Sequence, residues 1–189
     1  MEFKRIFWTF GISLFYFKMT LWAAPVSDSL PFPASWSGQW EGELNIYAAK
    51  GLVQHIPMTL DIQPVDTSLE GRYTWGIIYG SKDHDWRPYE LVPVDTGKGV
   101  WKIDEKNTIL MESYLIGPKF LCWFVVEGSR ILCTYEKTGP DELIFEVLAG
   151  KEIAVSSTGK NTFNGEEIPE VITFPLSGFQ RAVLKRKQK

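Results

Sequence analysis

The strongest constraint in this sequence is a two-residue alternation of apolar and polar side chains that recurs through most of the chain. From Gln39 to Tyr47, Trp40, Gly42, Leu44 and Ile46 alternate with Glu41, Glu43 and Asn45. From Ile56 to Ile62, Ile56, Met58, Leu60 and Ile62 alternate with Pro57, Thr59 and Asp61. Successive side chains of a strand point to opposite faces, so these segments read as strands with one buried face. Gly71 to Tyr79, Arg87 to Val94, Val100 to Asp104 and Thr108 to Ile116 continue the series. Phe120 to Val126, Ile131 to Glu136, Leu143 to Leu148 and Ile153 to Ser156 follow. Turn residues separate them roughly every 8–12 positions. Residues 157–168 read as a polar loop, and Val171 to Leu184 reads as a long final strand interrupted by Pro175 and Gly178.

Short loops make sequential strands antiparallel neighbours. A helix-free meander leaves exposed edges unless the sheet closes on itself. The expected fold is therefore all-β: a single antiparallel up-and-down barrel of about 8–11 strands. It covers residues 37–184, with an extended, proline-containing lead-in at 25–36 and a basic tail at 185–189.

The N-terminus has a different character. Lys4 and Arg5 precede an apolar run from Ile6 to Phe17, and Lys18 to Ala24 ends in the small residues Ala23-Ala24. The run is shorter than the ~20 residues that a membrane-spanning helix needs. Residues 1–24 therefore read as a signal peptide cleaved near Ala24, leaving a secreted or periplasmic domain with no transmembrane span. The formal charge is −3. The signal segment holds more basic than acidic residues, so the remainder is more acidic still and ill suited to nucleic-acid phosphates.

Export permits a disulfide between Cys122 and Cys133, the two cysteines of the chain. If Glu127 and Gly128 form the turn, Val126 faces Ser129 and Cys122 falls opposite Cys133. If Gly128-Ser129 is the turn, Cys122 faces Tyr135 and a bridge does not form easily.

Motifs of hydrolases, zinc proteases and P-loops are missing from the sequence, and no cofactor is implied. Lys82-Asp83-His84-Asp85 is the densest polar cluster. Neighbouring strand residues point apart, so it reads as a solvated hairpin tip, and no metal site is assigned. Aromatic residues make up 14% of the chain, enough to line a cavity. Tyr73, Trp75, Tyr89, Trp101, Tyr114 and Trp123 are the candidates for such a lining. Arg87 shares a face with Tyr89 and could meet a ligand carboxylate.

Gly38-Gln39-Trp40 at the first strand resembles the G-x-W signature of the calycin superfamily of lipocalin-like and avidin-like barrels. The resemblance implies a floor in which Trp40 is covered by a basic residue from the end of the barrel, and Arg181 is the match. It also implies a small apolar or amphipathic ligand held in the barrel. Calycin-like barrels also host isomerases and cyclases, for which Glu112 or Glu90 would supply a buried carboxylate. A third reading is a protein-interaction module or inhibitor that uses the loops around 48–53, 80–85 and 157–168.

Overall fold

The computed structural model describes residues 31–66 and 71–188. The signal-peptide reading falls outside the described residues, as does the start of the lead-in. A 3-10 turn (Ala34–Trp36) leads into nine strands in unbroken meander order. These are β1 (Gly38–Ala48), β2 (Gly51–Ile62), β3 (Tyr73–Tyr79), β4 (Asp85–Asp95), β5 (Val100–Asp104), β6 (Leu110–Ile116), β7 (Lys119–Val126), β8 (Ser129–Gly139) and β9 (Glu142–Lys151). The chain then leaves as an arm of four short strands: β10 (Ser156–Thr158), β11 (Asn161–Phe163), β12 (Glu166–Ile168) and β13 (Val171–Thr173). It returns as β14 (Leu176–Arg186), which pairs with both β9 and β1 and closes a ten-stranded antiparallel barrel. The sheet is all-β and up-and-down, as the alternation requires. Closure leaves no free edge in the barrel.

The arm corrects one part of the sequence reading. Residues 157–168 are not a simple loop, because β10 pairs with β13 and β11 with β12. Val171 to Thr173 therefore belongs to the arm, and the last barrel strand begins after Pro175, which cannot donate to a ladder.

Alternation assigns the interior. Trp40, Leu44, Leu60, Trp75, Ile77, Leu91, Phe120, Tyr135, Phe145, Ala182 and Leu184 are all buried. Gly42 is needed where β1 meets β14, since a Cβ there would lie 2.4 Å from the Val183 carbonyl oxygen.

One end of the barrel is a solid aromatic floor. Phe32, from the lead-in, lies edge-on to Trp36 and Trp101 at ring-centroid distances of 5.0 and 5.2 Å, and stacks on Phe120 at 5.2 Å. Trp36 stacks on Trp75 at 6.4 Å. Such pairs add ~0.5–1.5 kcal/mol each beyond area burial. The described end of the lead-in, residues 31–36, is thus a plug folded under the barrel.

A cation seals the floor. The Arg186 guanidinium carbon sits 4.1 Å from the centroid of the Trp40 ring. Its nitrogens donate to the carbonyls of Ser37, Ser35 and Pro140. Trp40 Nε1 donates to the Trp36 carbonyl at 2.9 Å, and Lys137 Nζ to that of Ser35 at 2.8 Å. Arg181, the sequence candidate for this role, is on the outer face in an ion pair with Glu146. The register decides between them: Trp40 pairs with Arg186, and Arg186 shares the inward parity of Ala182 and Leu184. Two other basic residues of the expected tail are also engaged, Lys185 with Glu142 and Lys187 with Glu41.

This arrangement sets two substitutions apart. Arg186→Ala removes a stacked cation together with its donors to the Ser37, Ser35 and Pro140 carbonyls, and should lower unfolding free energy by about 2 kcal/mol. Arg181→Ala removes an exposed pair and should cost below about 1 kcal/mol. Urea unfolding of the two variants side by side checks the order.

Candidate functional site

The floor fills only one end of the barrel. Above Trp75 and Tyr135 lies a cavity of about 340 Å³ that opens toward the β1–β2, β3–β4 and β7–β8 turns. Leu44, Ile46 and Ile56 wall it on one side, and Phe124, Ile131, Phe145 and Val147 on the other. Its rim is polar, formed by Tyr79, Asp85, Arg87, Tyr89, Glu105 and Gln180.

Two antiparallel strands build the rim. β3 and β4 pair so that Tyr79 faces Asp85, Ile77 faces Arg87 and Trp75 faces Tyr89. Period-two alternation therefore carries Asp85, Arg87 and Tyr89 to the same face. Arg87 Nε and Nη2 each donate to the Asp85 carboxylate at 3.1 Å, a bidentate pair. The guanidinium lies 4.8 Å from the centroid of the Tyr79 ring. Hydrogen bonding to Arg87 holds the Asp85 carboxyl below its ordinary range, and the same bond keeps Arg87 firmly protonated.

The phenols of the rim and of the cavity bed are uncharged at neutral pH. Burial pushes the phenols of Tyr79, Tyr89 and Tyr135 above their ordinary values. The Glu105 carboxylate also raises Tyr89. Trp75 Nε1 is buried and makes no hydrogen bond, although the indole lies close enough to Tyr135 to favour its ionised form slightly.

The two thiols are part of this wall. Cys122 and Cys133 face each other across β7 and β8, with Val126 opposite Ser129, so the hairpin turns on Glu127-Gly128. Both cysteines are nonetheless free, and the expected disulfide is corrected. A facing register brings the backbones together but does not by itself bring two sulfurs into bonding geometry. Burial pushes the Cys133 thiol up to about 12 and raises Cys122 as well. Neither thiol is therefore primed as a nucleophile.

The remaining sequence candidates are elsewhere. Trp75, Arg87 and Tyr89 line the cavity. Trp101 is in the floor against Phe32, and Tyr73 packs on the core without reaching the cavity. Tyr114 and Trp123 are on the outside, Trp123 with 65% of its surface exposed. Trp123 belongs to an outer row that runs in register through Leu132, Leu148 and Phe179 to Tyr47.

Neither proposed acid/base carboxylate is inside. Glu112 faces outward and accepts from the Tyr114 hydroxyl at 3.0 Å. Glu90 has the outward parity of β4 and pairs with Arg72 at 3.3 Å and Lys106 at 2.8 Å. The Lys82–Asp85 turn gathers no metal ligands: among the described residues no group of three His, Cys, Asp or Glu side chains converges. Sequence reading missed Asp85 and Glu105 as rim groups and Tyr135 as the cavity bed. Their strand parity relative to Arg87, Ile103 and Cys133 was the available signal.

No protein-family model and no curated protein matches the sequence. Solved structures do match in shape. One is a protein of unknown function from the DUF3598 family of Nostoc punctiforme, with a TM-score of 0.56 and 11% identity. The match covers 82% of this chain and 48% of that one, so this chain spans about half its length. Another is the S-type phycobiliprotein lyase CPES from Guillardia theta, with a TM-score of 0.50 and 11% identity over 82% of this chain and 91% of that one. At that identity the likeness is one of fold, a lipocalin-like barrel.

The raised thiol and phenols give a pH dependence with a definite sign. A group that stays protonated longer in the folded state contributes stability below its unfolded pKa and loses it as pH climbs toward the folded value. For Cys133 that window runs from 9.0 to about 12. Cys133→Ala should therefore show a shallower loss of stability than the parent between those limits. Denaturant midpoints taken across the alkaline range measure it, and identical slopes would contradict the burial of this thiol.

Proposed function

We propose that this protein is a calycin-like binding barrel that holds a small apolar or amphipathic molecule in the open half of its interior. The observation that carries the reading is a hollow of about 340 Å³, apolar in its depth and polar at its rim, above a floor packed solid with aromatic rings. Ligand pockets typically measure roughly 300–1,000 Å³ and combine apolar walls with a few placed polar groups. The volume is at the compact end of that range. A lyase among the proteins of similar fold supports small-molecule handling by a barrel of this shape.

The groups in the wall suit binding. Leu44, Ile56, Phe145 and Val147 offer dispersion contacts and release ordered water when covered. Tyr89 and Arg87 offer hydrogen bonds at the entrance. The N-terminal zones at Lys4-Arg5, Ile6 to Phe17 and Ala23-Ala24 support delivery outside the cytoplasm. Expressed in its own host, the mature chain should then begin near Pro25, which its intact mass would reveal.

An environment-sensitive fluorophore with an alkyl tail should bind the purified protein and brighten. Ile131→Trp, which places an indole in the hollow, should weaken that binding by about tenfold or more while leaving the fold intact, because the new volume replaces empty space rather than packed core. Native mass spectrometry of protein from its own host should show a bound small molecule. A ligand-free mass together with no fluorophore binding would overturn the reading.

A further inference from the structure

The rim carries an electrostatic feature that bears on which amphiphiles the pocket takes. Among the residues that line the cavity, Arg87 is the one cation, whereas Asp85 and Glu105 are both carboxylic acids. Arg87 is already committed: two of its N–H groups donate to Asp85, and its face lies over Tyr79. A guanidinium has five N–H donors. Others remain for a ligand beside the Tyr89 hydroxyl, which also lies within reach of Arg87, but the charge behind them is matched by Asp85. Glu105 adds a further negative charge near Tyr89. The tyrosines and thiols of the wall are neutral, so nothing deeper offsets it.

Resting on the pocket reading above, we infer that the pocket selects amphiphiles with an uncharged polar head, such as an amide, ester, ketone or alcohol, and disfavours carboxylates, and that Asp85 sets this preference. A neutral carbonyl or hydroxyl can accept from the spare Arg87 donors without disturbing the Arg87–Asp85 pair. A carboxylate would sit beside two like charges at the entrance, with the one nearby cation already matched by Asp85. It could reach an unneutralised Arg87 only by displacing Asp85, whose own bidentate bonds would be lost. Discrimination would thus come from a repulsive element placed at the entrance, with Arg87 as the attractive one. Asp85 acts here as a positioning and selectivity residue: it fixes the direction of the guanidinium and cancels its charge.

The test uses a matched pair of probes, dansyl-undecanoic acid and its methyl ester, titrated at pH 8, where the acid is ionised. The full chain should bind the ester about tenfold or more tightly than the acid. Asp85→Asn should raise the acid-to-ester affinity ratio by about tenfold or more, since it frees the Arg87 charge. Asp85→Glu should keep the parent order. The ratio, unlike either affinity alone, is unmoved by a general loosening of the fold. A parent protein that prefers the acid, or a ratio unchanged in Asp85→Asn, overturns this inference while leaving the pocket reading in place. If neither probe binds the parent chain, the pocket reading falls and this inference with it. Should Asp85→Asn not fold, the order of the two probes on the parent chain decides.

Discussion

The stack of Arg186 on Trp40 is the contact on which the rest of this barrel depends. It joins the last strand to the first in register, which is the closure step of the sheet. It also reaches beneath the barrel to the carbonyls of Ser35 and Ser37. Those bonds hold the lead-in where Phe32 and Trp36 can enter the floor. A guanidinium suits this position because it combines a flat face for the indole with several fixed donors for carbonyls. Lysine could supply a charge there but not the planar fork.

The floor in turn defines the cavity. With Phe32, Trp36, Trp101 and Phe120 filling one end, the hollow begins only at the level of Trp75 and Tyr135. A barrel this wide needs bulky side chains to fill it, and here they are spent unevenly. The floor is filled by tryptophan and phenylalanine, while the open half is walled by isoleucine, leucine and valine together with further aromatics such as Tyr135 and Phe145. The strain-free way to keep such a space open is a rigid base and a rim tied by polar pairs. The Arg87–Asp85 pair and the Tyr79 ring beneath it do this for β3 and β4.

Much of the architecture was legible because local and global requirements agree. Alternation in Gln39 to Tyr47 and Ile56 to Ile62 placed the inward side chains of β1 and β2 correctly, and one of the two hairpin registers weighed for Cys122 and Cys133 is the one found. Long-range facts were harder. Arg181 and Arg186 differ by an odd number of positions, so choosing between them requires the parity of β14, which Ala182 and Leu184 declare only once the strand start is known. Pro175 and the arm obscured that start. The plug was hidden for a different reason: a proline-containing segment has no periodicity to read, and its apolar residues matter only after the barrel exists. Trp123 and Phe124 lie in a strand apolar at every position, where alternation carries no signal, and the outward row from Trp123 to Tyr47 emerges only from the pairing of five strands.

The polar groups of the cavity follow from the same geometry. A phenol or thiol placed between apolar walls keeps its proton, as Tyr79, Tyr135 and Cys133 do. Groups so far from titration at neutral pH donate or accept hydrogen bonds in their uncharged forms; they do not serve as bases or thiolate nucleophiles. Full charge is tolerated only at the rim, where water reaches it and Arg87 can be paired. The depth of the pocket thus presents apolar surface, and its entrance presents polar groups. These two properties come from strands that alternate on one period, because the step from Ile77 to Tyr79 on β3, and from Leu91 to Tyr89 on β4, is the step from apolar interior to polar rim.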